Sequence, residues 1–141
     1  VGAATVEEIE QWNILRASQL AMARAVAALP LAPKGLWVDG PYEVAPACWQ
    51  AVDRLAPRQV PLVGGDALCP AISAASVVAK VVRDAWMGVL DQHYPGYGWA
   101  KNAGYGSAAH LAALATLGVT PHHRRWFAPI AALSQPNEGA P

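Results

Sequence analysis

The chain has 141 residues, 54% of them apolar and 14% charged, with ten cations balancing ten acids. That length suits one domain with a real core, and the apolar share excludes a disordered chain. Zero net charge gives no general support for nucleic-acid binding, and no apolar run of about 18 residues is free of charge, so no membrane-spanning helix is expected.

Val1 to Ala4 read as the tail of a strand, with no basic start or apolar core of a signal peptide. Thr5 then opens a helix, with Glu8 three residues on in the capping-box pattern. That helix is expected to end near Trp12, where Asn13 caps a second one. The second helix places Ile14, Leu15, Met22, Val26 and Leu29 roughly on one face and stops before Pro30 and Pro33.

Leu36 to Val38 form an apolar strand ending at Asp39-Gly40. Residues 41 to 59 carry three prolines and read as a loop with a short helix around Trp49 to Leu55. Val60 to Val63 form a second strand, broken by Gly64-Gly65, and Asp66 follows where strand gives way to loop. Pro70 suits a first helical turn, and that helix runs to about His93. Lys80 and Asp84 lie four apart on one face of it. Residues 94 to 106, rich in glycine and aromatics, read as a loop. Ser107 caps a helix to Leu117, ended by Gly118, and Pro121 to Phe127 form a short helix or turn. Residues 1–133 are expected to be one domain and 134–141 a frayed tail.

Asp39 and Asp66 both follow apolar runs and both adjoin glycine, so their carboxylates can converge at one sheet edge. Hard oxygen ligands of this kind suit Mg²⁺ or Mn²⁺. The alternative is two acidic turn residues, one capping the long helix. Cys48 and Cys69 form no metal-type pair and read as unpaired thiols of a reducing, cytoplasmic compartment. Residues 92 to 137 contain Lys101, Arg124 and Arg125 and no Asp or Glu, so a neutral chain can still present a modestly basic face.

The stretch Gly65-Asp66-Ala67 with Ile72-Ser73-Ala74-Ala75-Ser76 to Arg83-Asp84 resembles the signature helix of the ribonuclease HII family. Asn13 to Ser18 and Val38-Asp39-Gly40 match upstream, and Gly104-Tyr105-Gly106-Ser107 and His123 to Pro129 match downstream, in the family's order. The resemblance covers nearly all of residues 5 to 130. It implies an α/β, ribonuclease H-like mixed sheet with flanking helices and a helix-rich C-terminal part. The implied activity is hydrolysis of the RNA strand of RNA–DNA hybrids, or at single ribonucleotides embedded in duplex DNA, by two-metal-ion catalysis with Mg²⁺ or Mn²⁺.

By the same resemblance Asp39 and Asp66 are catalytic metal ligands, and Tyr105 stacks on the sugar at the RNA–DNA junction. Asn13 reaches the nucleic-acid backbone. The family's other two ligands are an adjacent Asp-Glu pair near the N-terminus, and this sequence contains no Asp-Glu dipeptide. The family's first strands are therefore expected to be absent, and activity of the chain alone crippled. Gly64 stands where the family usually has lysine, and Asn102-Ala103 where it has His-Lys, so nucleic-acid binding is expected to be weak. The alternative is an inactive, family-derived domain that only binds nucleic acid or protein weakly. Read from residues alone, Tyr105 could equally be a buried loop anchor. Lys80, Arg83 and Asp84 are read as a salt-bridged helix face, and His123-Arg124-Arg125 as phosphate contacts or a structural clamp. Trp126 is read as a packing residue.

Overall fold

The structure, a computed structural model, describes residues 1–128, 130 and 131. The expected tail, 134–141, lies outside them. The architecture is mixed α/β, with two parallel strands and helices on either side of them in sequence. The described residues form two compact units, Val1–Val82 and a second beginning at Arg83.

The first unit opens with α1 (Val6–Ala27). The capping box forms as expected: Glu8 N–H donates to Thr5 Oγ1 at 3.3 Å, and Thr5 N–H to Glu8 Oε2 at 2.9 Å. Asn13 breaks the helix with φ 63° and ψ 167°, and its Oδ1 accepts Arg16 N–H at 3.1 Å. The two helices read from the sequence are thus one element with a kink, and Asn13 caps the second half.

The buried face of that half differs from the expected one. Ala17, Gln19, Leu20 and Ala23 are buried, whereas Ile14, Leu15, Met22 and Leu29 are exposed. Apolar side chains surround this helix, so their spacing does not select a face. Gln19 helps to select it, because its amide donates to the Glu43 carbonyl at 2.9 Å and accepts Ala45 N–H at 3.4 Å. Val1 to Ala4 form no strand. They lie against α1, where the Arg24 guanidinium reaches both the Ala3 carbonyl and Glu8, each at 2.7 Å.

Strand β1 (Gly35–Asp39) pairs in parallel with β2 (Arg58–Leu62), with Trp37 opposite Val60 and Asp39 opposite Leu62. β2 begins and ends slightly earlier than the apolar run suggests, because backbone pairing, not hydropathy, sets its limits. Parallel neighbours need a crossover connection. Residues 40 to 57 supply it, with α2 (Pro46–Ala51) slightly N-terminal to its expected place because Pro46 occupies the first turn. Val38, Val44, Cys48 and Trp49 form the core with Leu20 and Ala23.

Gly64, at φ 67°, turns the chain out of β2 into α3 (Gly65–Leu68). Asp66 therefore sits in the first turn of a short helix, not in a loop. α4 (Pro70–His93) follows with the expected limits. No helix among the described residues is long and apolar enough to cross a membrane.

In the second unit, α5 (Trp99–Asn102) interrupts the segment read as loop. It forms because Asn102 Nδ2 donates back to the Tyr97 carbonyl at 2.7 Å, closing the turn. α6 (Ala108–Leu117) is capped by Ser107, whose Oγ accepts His110 N–H at 3.3 Å, and ends at Gly118 with φ 78°. Tyr97, Trp99, Leu114 and Ile130 form this unit's core, with Met87 and Leu90 packed on it. Trp126 is 82% exposed, against the packing role read for it. The turn is held instead by buried His123 and by Arg124, whose guanidinium lies 4.8 Å from the Phe127 ring centroid.

Candidate active site

Asp39 ends β1 and Asp66 stands four residues past Leu62, the β2 residue paired with Asp39. The parallel register therefore delivers both acids to the same C-terminal edge of the sheet, where open α/β sheets bind their ligands. One contact fixes the arrangement: Gly65 N–H donates to Asp39 Oδ1 at 2.9 Å. Gly65 is buried and immediately precedes Asp66. A Cβ at Gly65 would lie 2.6 Å from Ile72 Cδ1, a side-chain end that can turn aside, and 3.3 Å from Asp39 Oδ1, so glycine eases the close approach. Both acids are exposed.

Exposed carboxylate oxygens are the ligand type that hard cations such as Mg²⁺ or Mn²⁺ take, with water completing the shell. Among the described residues no group of three or more His, Cys, Asp or Glu is placed to hold an ion. Two carboxylates are a partial set.

Asn13 also belongs to the first unit. Its side chain bonds within its own helix, and its backbone occupies a region that non-glycine residues rarely adopt. Cys48 is buried and Cys69 half-buried, neither in a disulfide, and burial pushes the Cys48 thiol pKa up.

Tyr105 stands in the second unit and is 66% exposed, so it is no buried loop anchor. The Arg83 guanidinium lies 5.5 Å from its ring centroid, and Nη1 donates to the phenol oxygen at 3.4 Å. Arg83 also donates to Asp84 Oδ1 from Nε at 3.3 Å and Nη2 at 3.1 Å. The bond to Tyr105, and then Asp84, hold the Arg83 pKa above its ordinary value. The sequence reading had Arg83 on a salt-bridged helix face and missed its contact with Tyr105. They stand 22 positions apart with no periodic signal linking them, and only the fold brings them together. The Gly65 donor to Asp39 was likewise missed, since a backbone N–H leaves no trace in side-chain composition.

A family model described as Ribonuclease HII matches residues 2–130. A protein named Ribonuclease HII from Rhizorhabdus wittichii is 55% identical over 137 residues, covering 95% of this chain and 62% of that protein. Another of that name, from Roseobacter denitrificans, is 52% identical over 130 residues, covering 92% of this chain and 62% of that protein. A third, from Paracidovorax citrulli, is 51% identical over 138 residues, covering 96% of this chain and 52% of that protein. The chain thus spans less than two thirds of the length of these curated relatives. With the family's motifs falling at the sheet edge and on the loop just described, the chain belongs to the ribonuclease HII family.

Proposed function

We propose that this chain carries part of the active site of a cytoplasmic endonuclease that hydrolyses the RNA strand of RNA–DNA hybrids, including single ribonucleotides embedded in duplex DNA. The observation that carries the reading is the Gly65–Asp39 bond, which draws the segment bearing Asp66 against the end of β1. Asp39 and Asp66 would hold Mg²⁺ or Mn²⁺ as two of its ligands. Bound ions of this kind supply charge stabilisation at the phosphodiester and a more acidic attacking water.

The chain's own residues do the rest. Gly65 fixes one oxygen of Asp39 and leaves the other to a ligand. Tyr105, exposed and braced by Arg83, offers a flat apolar face on which a sugar can rest. Asn13 faces solvent at a kink, where it can meet a nucleic-acid backbone. Two carboxylates are poorly suited to fixing two ions across an in-line displacement, so the chain alone is expected to cut feebly or not at all. The unpaired thiols favour a reducing compartment.

The test is cleavage of a labelled duplex carrying one ribonucleotide, with Mg²⁺ or Mn²⁺ against chelator. The chain as given is compared with the chain joined to a segment supplying the family's Asp-Glu pair. The joined protein should cut only with metal, and Asp39→Asn or Asp66→Asn should each abolish cutting. Tyr105→Ala should reduce cutting at the single ribonucleotide and leave the fold intact. Full activity of the joined Asp66→Asn protein would remove Asp66 from the site. Strong metal-dependent cutting by the unextended chain would show that the added pair is dispensable.

A further inference from the structure

The second unit buries two histidines that the metal reading does not use. His110 on α6 and His123 on the turn of residues 120–127 are 4% and 5% exposed. Their rings stack, with centroids 5.4 Å apart and planes 25° from parallel. Tyr97 and Trp99 close round His123, with ring centroids at 5.2 and 5.1 Å. The stack is therefore a joint between α6 and the turn, set against this unit's aromatic core.

Hydrogen bonds fix where each ring carries its proton. His110 Nδ1 lies 3.1 Å from the Tyr97 carbonyl, which only accepts, so that nitrogen is protonated. Thr120 N–H donates to His123 Nδ1 at 3.0 Å, so that nitrogen is bare and the proton of the neutral ring sits on Nε2. Among the described residues this buried Nε2 has no hydrogen-bond partner. An unpaired buried donor costs stability, so even the neutral joint is held with little to spare. A second proton on His123 must go to Nδ1, where it meets the Thr120 N–H head-on and breaks that bond. Thr120 Oγ1, 2.9 Å away, already accepts His122 N–H at 3.2 Å, and turning to it would still leave the Thr120 amide unpaired.

Among the described residues no opposite charge offsets such a proton. The titrating groups that act on His123 are His110 from α6 and His122 from its own turn. Arg124 and Arg125 follow on that turn, and the span from 92 to 137 contains no acid. From α4, the side chains packed on this core are Met87 and Leu90. Asp91 of α4 has a buried Oδ1 but does not act on His123. Burial first, and then His110, hold the His123 pKa below its ordinary 6.5. A histidine depressed in this way contributes stability that is present above its unfolded pKa and is lost as pH falls through its folded one.

We propose that the stack of His110 and His123 is an acid-released latch, which holds the 120–127 turn against α6 at neutral pH and lets it go when His123 takes a proton. The opening is confined to the second unit, because all four histidines lie there and the first unit contains none. The latch is separate from Asp39 and Asp66, and its test needs no divalent cation and no cleavage.

The ¹⁵N-labelled chain is followed by NMR from about pH 8 to about pH 5, the range in which histidine titrates. Ring nitrogens report protonation, and amide exchange protection reports opening. The Thr120 and His123 amides, both bonded within the turn, should lose protection as His123 Nδ1 gains its proton. The Ala23 and Val38 amides of the first unit should keep theirs. His123→Gln cannot take the proton, and its side-chain oxygen can still accept Thr120 N–H, so its turn should stay protected across the range. Equal loss in His123→Gln would overturn the proposal, as would a wild-type turn that stays docked down to about pH 5, whether or not His123 is protonated there. Simultaneous loss at Ala23 and Val38 would also overturn it, showing global unfolding instead of a latch. Should His123→Gln fail to fold at neutral pH, the wild-type ring titration and amide protection decide alone.

Discussion

Asp39 and Gly65 stand 26 residues apart and meet through one hydrogen bond of 2.9 Å, from the glycine N–H to the carboxylate. The bond requires the chain leaving β2 to pass within contact of the end of β1, and Gly65 has no side chain to prevent it. Gly65→Ala should test this directly. The added methyl meets the movable end of Ile72 and the Asp39 carboxylate, so the cost should fall near the low end of overpacking, about 1 kcal/mol. The urea midpoint should fall, and Ile72→Val, which removes the atom nearest the new methyl, should restore part of the loss. A fully stable Gly65→Ala protein would show that the segment has room to move.

The Glu8–Arg24 pair makes stability depend on acid. Arg24 first, and then the Thr5 backbone, lower the Glu8 pKa to about 2 from 4.5. A carboxyl depressed on folding contributes stability that is fully present above its unfolded pKa and is lost as pH falls through its folded one. Its contribution should thus be complete above about pH 5 and fade between about pH 4.5 and 2. Both side chains are partly exposed, so screening trims the effect. Urea midpoints at pH 6 and pH 3 should differ less for Glu8→Gln than for the wild type. An unchanged difference would mean that other carboxyls carry the acid sensitivity.

Trp37 and Val60 are paired across β1 and β2 and are 59% and 41% exposed. A two-stranded sheet has only edge strands, and an exposed apolar face beside open edges invites association. The isolated chain should self-associate at micromolar concentration in sedimentation velocity, and Trp37→Lys should shift it toward monomer. A monomeric wild-type chain with a sharp denaturant transition would refute this expectation and show the sheet sufficient as it stands.

Arg83 braces Tyr105 from an exposed position, its side chain 44% exposed and that of Asp84 41%. Surface contacts of this type contribute about 0–1 kcal/mol. Arg83→Gln should therefore leave the thermal midpoint nearly unchanged while broadening or shifting the Tyr105 ring signals in NMR. Undisturbed Tyr105 signals would show that the loop between Gly104 and Ser107 holds the ring unaided.

Much of this protein is written locally. Thr5 and Glu8 set the first helix start, Asn13 its kink, Ser107 and Gly118 the limits of α6, and Pro70 the start of α4, because caps and breakers act through neighbours in the chain. The two strands are legible as apolar runs and Asp39 and Asp66 as the acids that follow them, since both signals span only a few residues. The face that α1 buries is not legible, because apolar residues surround it and Gln19 finds its partners 24 and 26 residues away. Nor is the bond between Asp39 and Gly65, the Arg83 brace on Tyr105, or the orphaned Nε2 of His123. Each depends on where distant backbone and side-chain atoms come to rest, which hydropathy and spacing do not encode and only the packed tertiary structure decides.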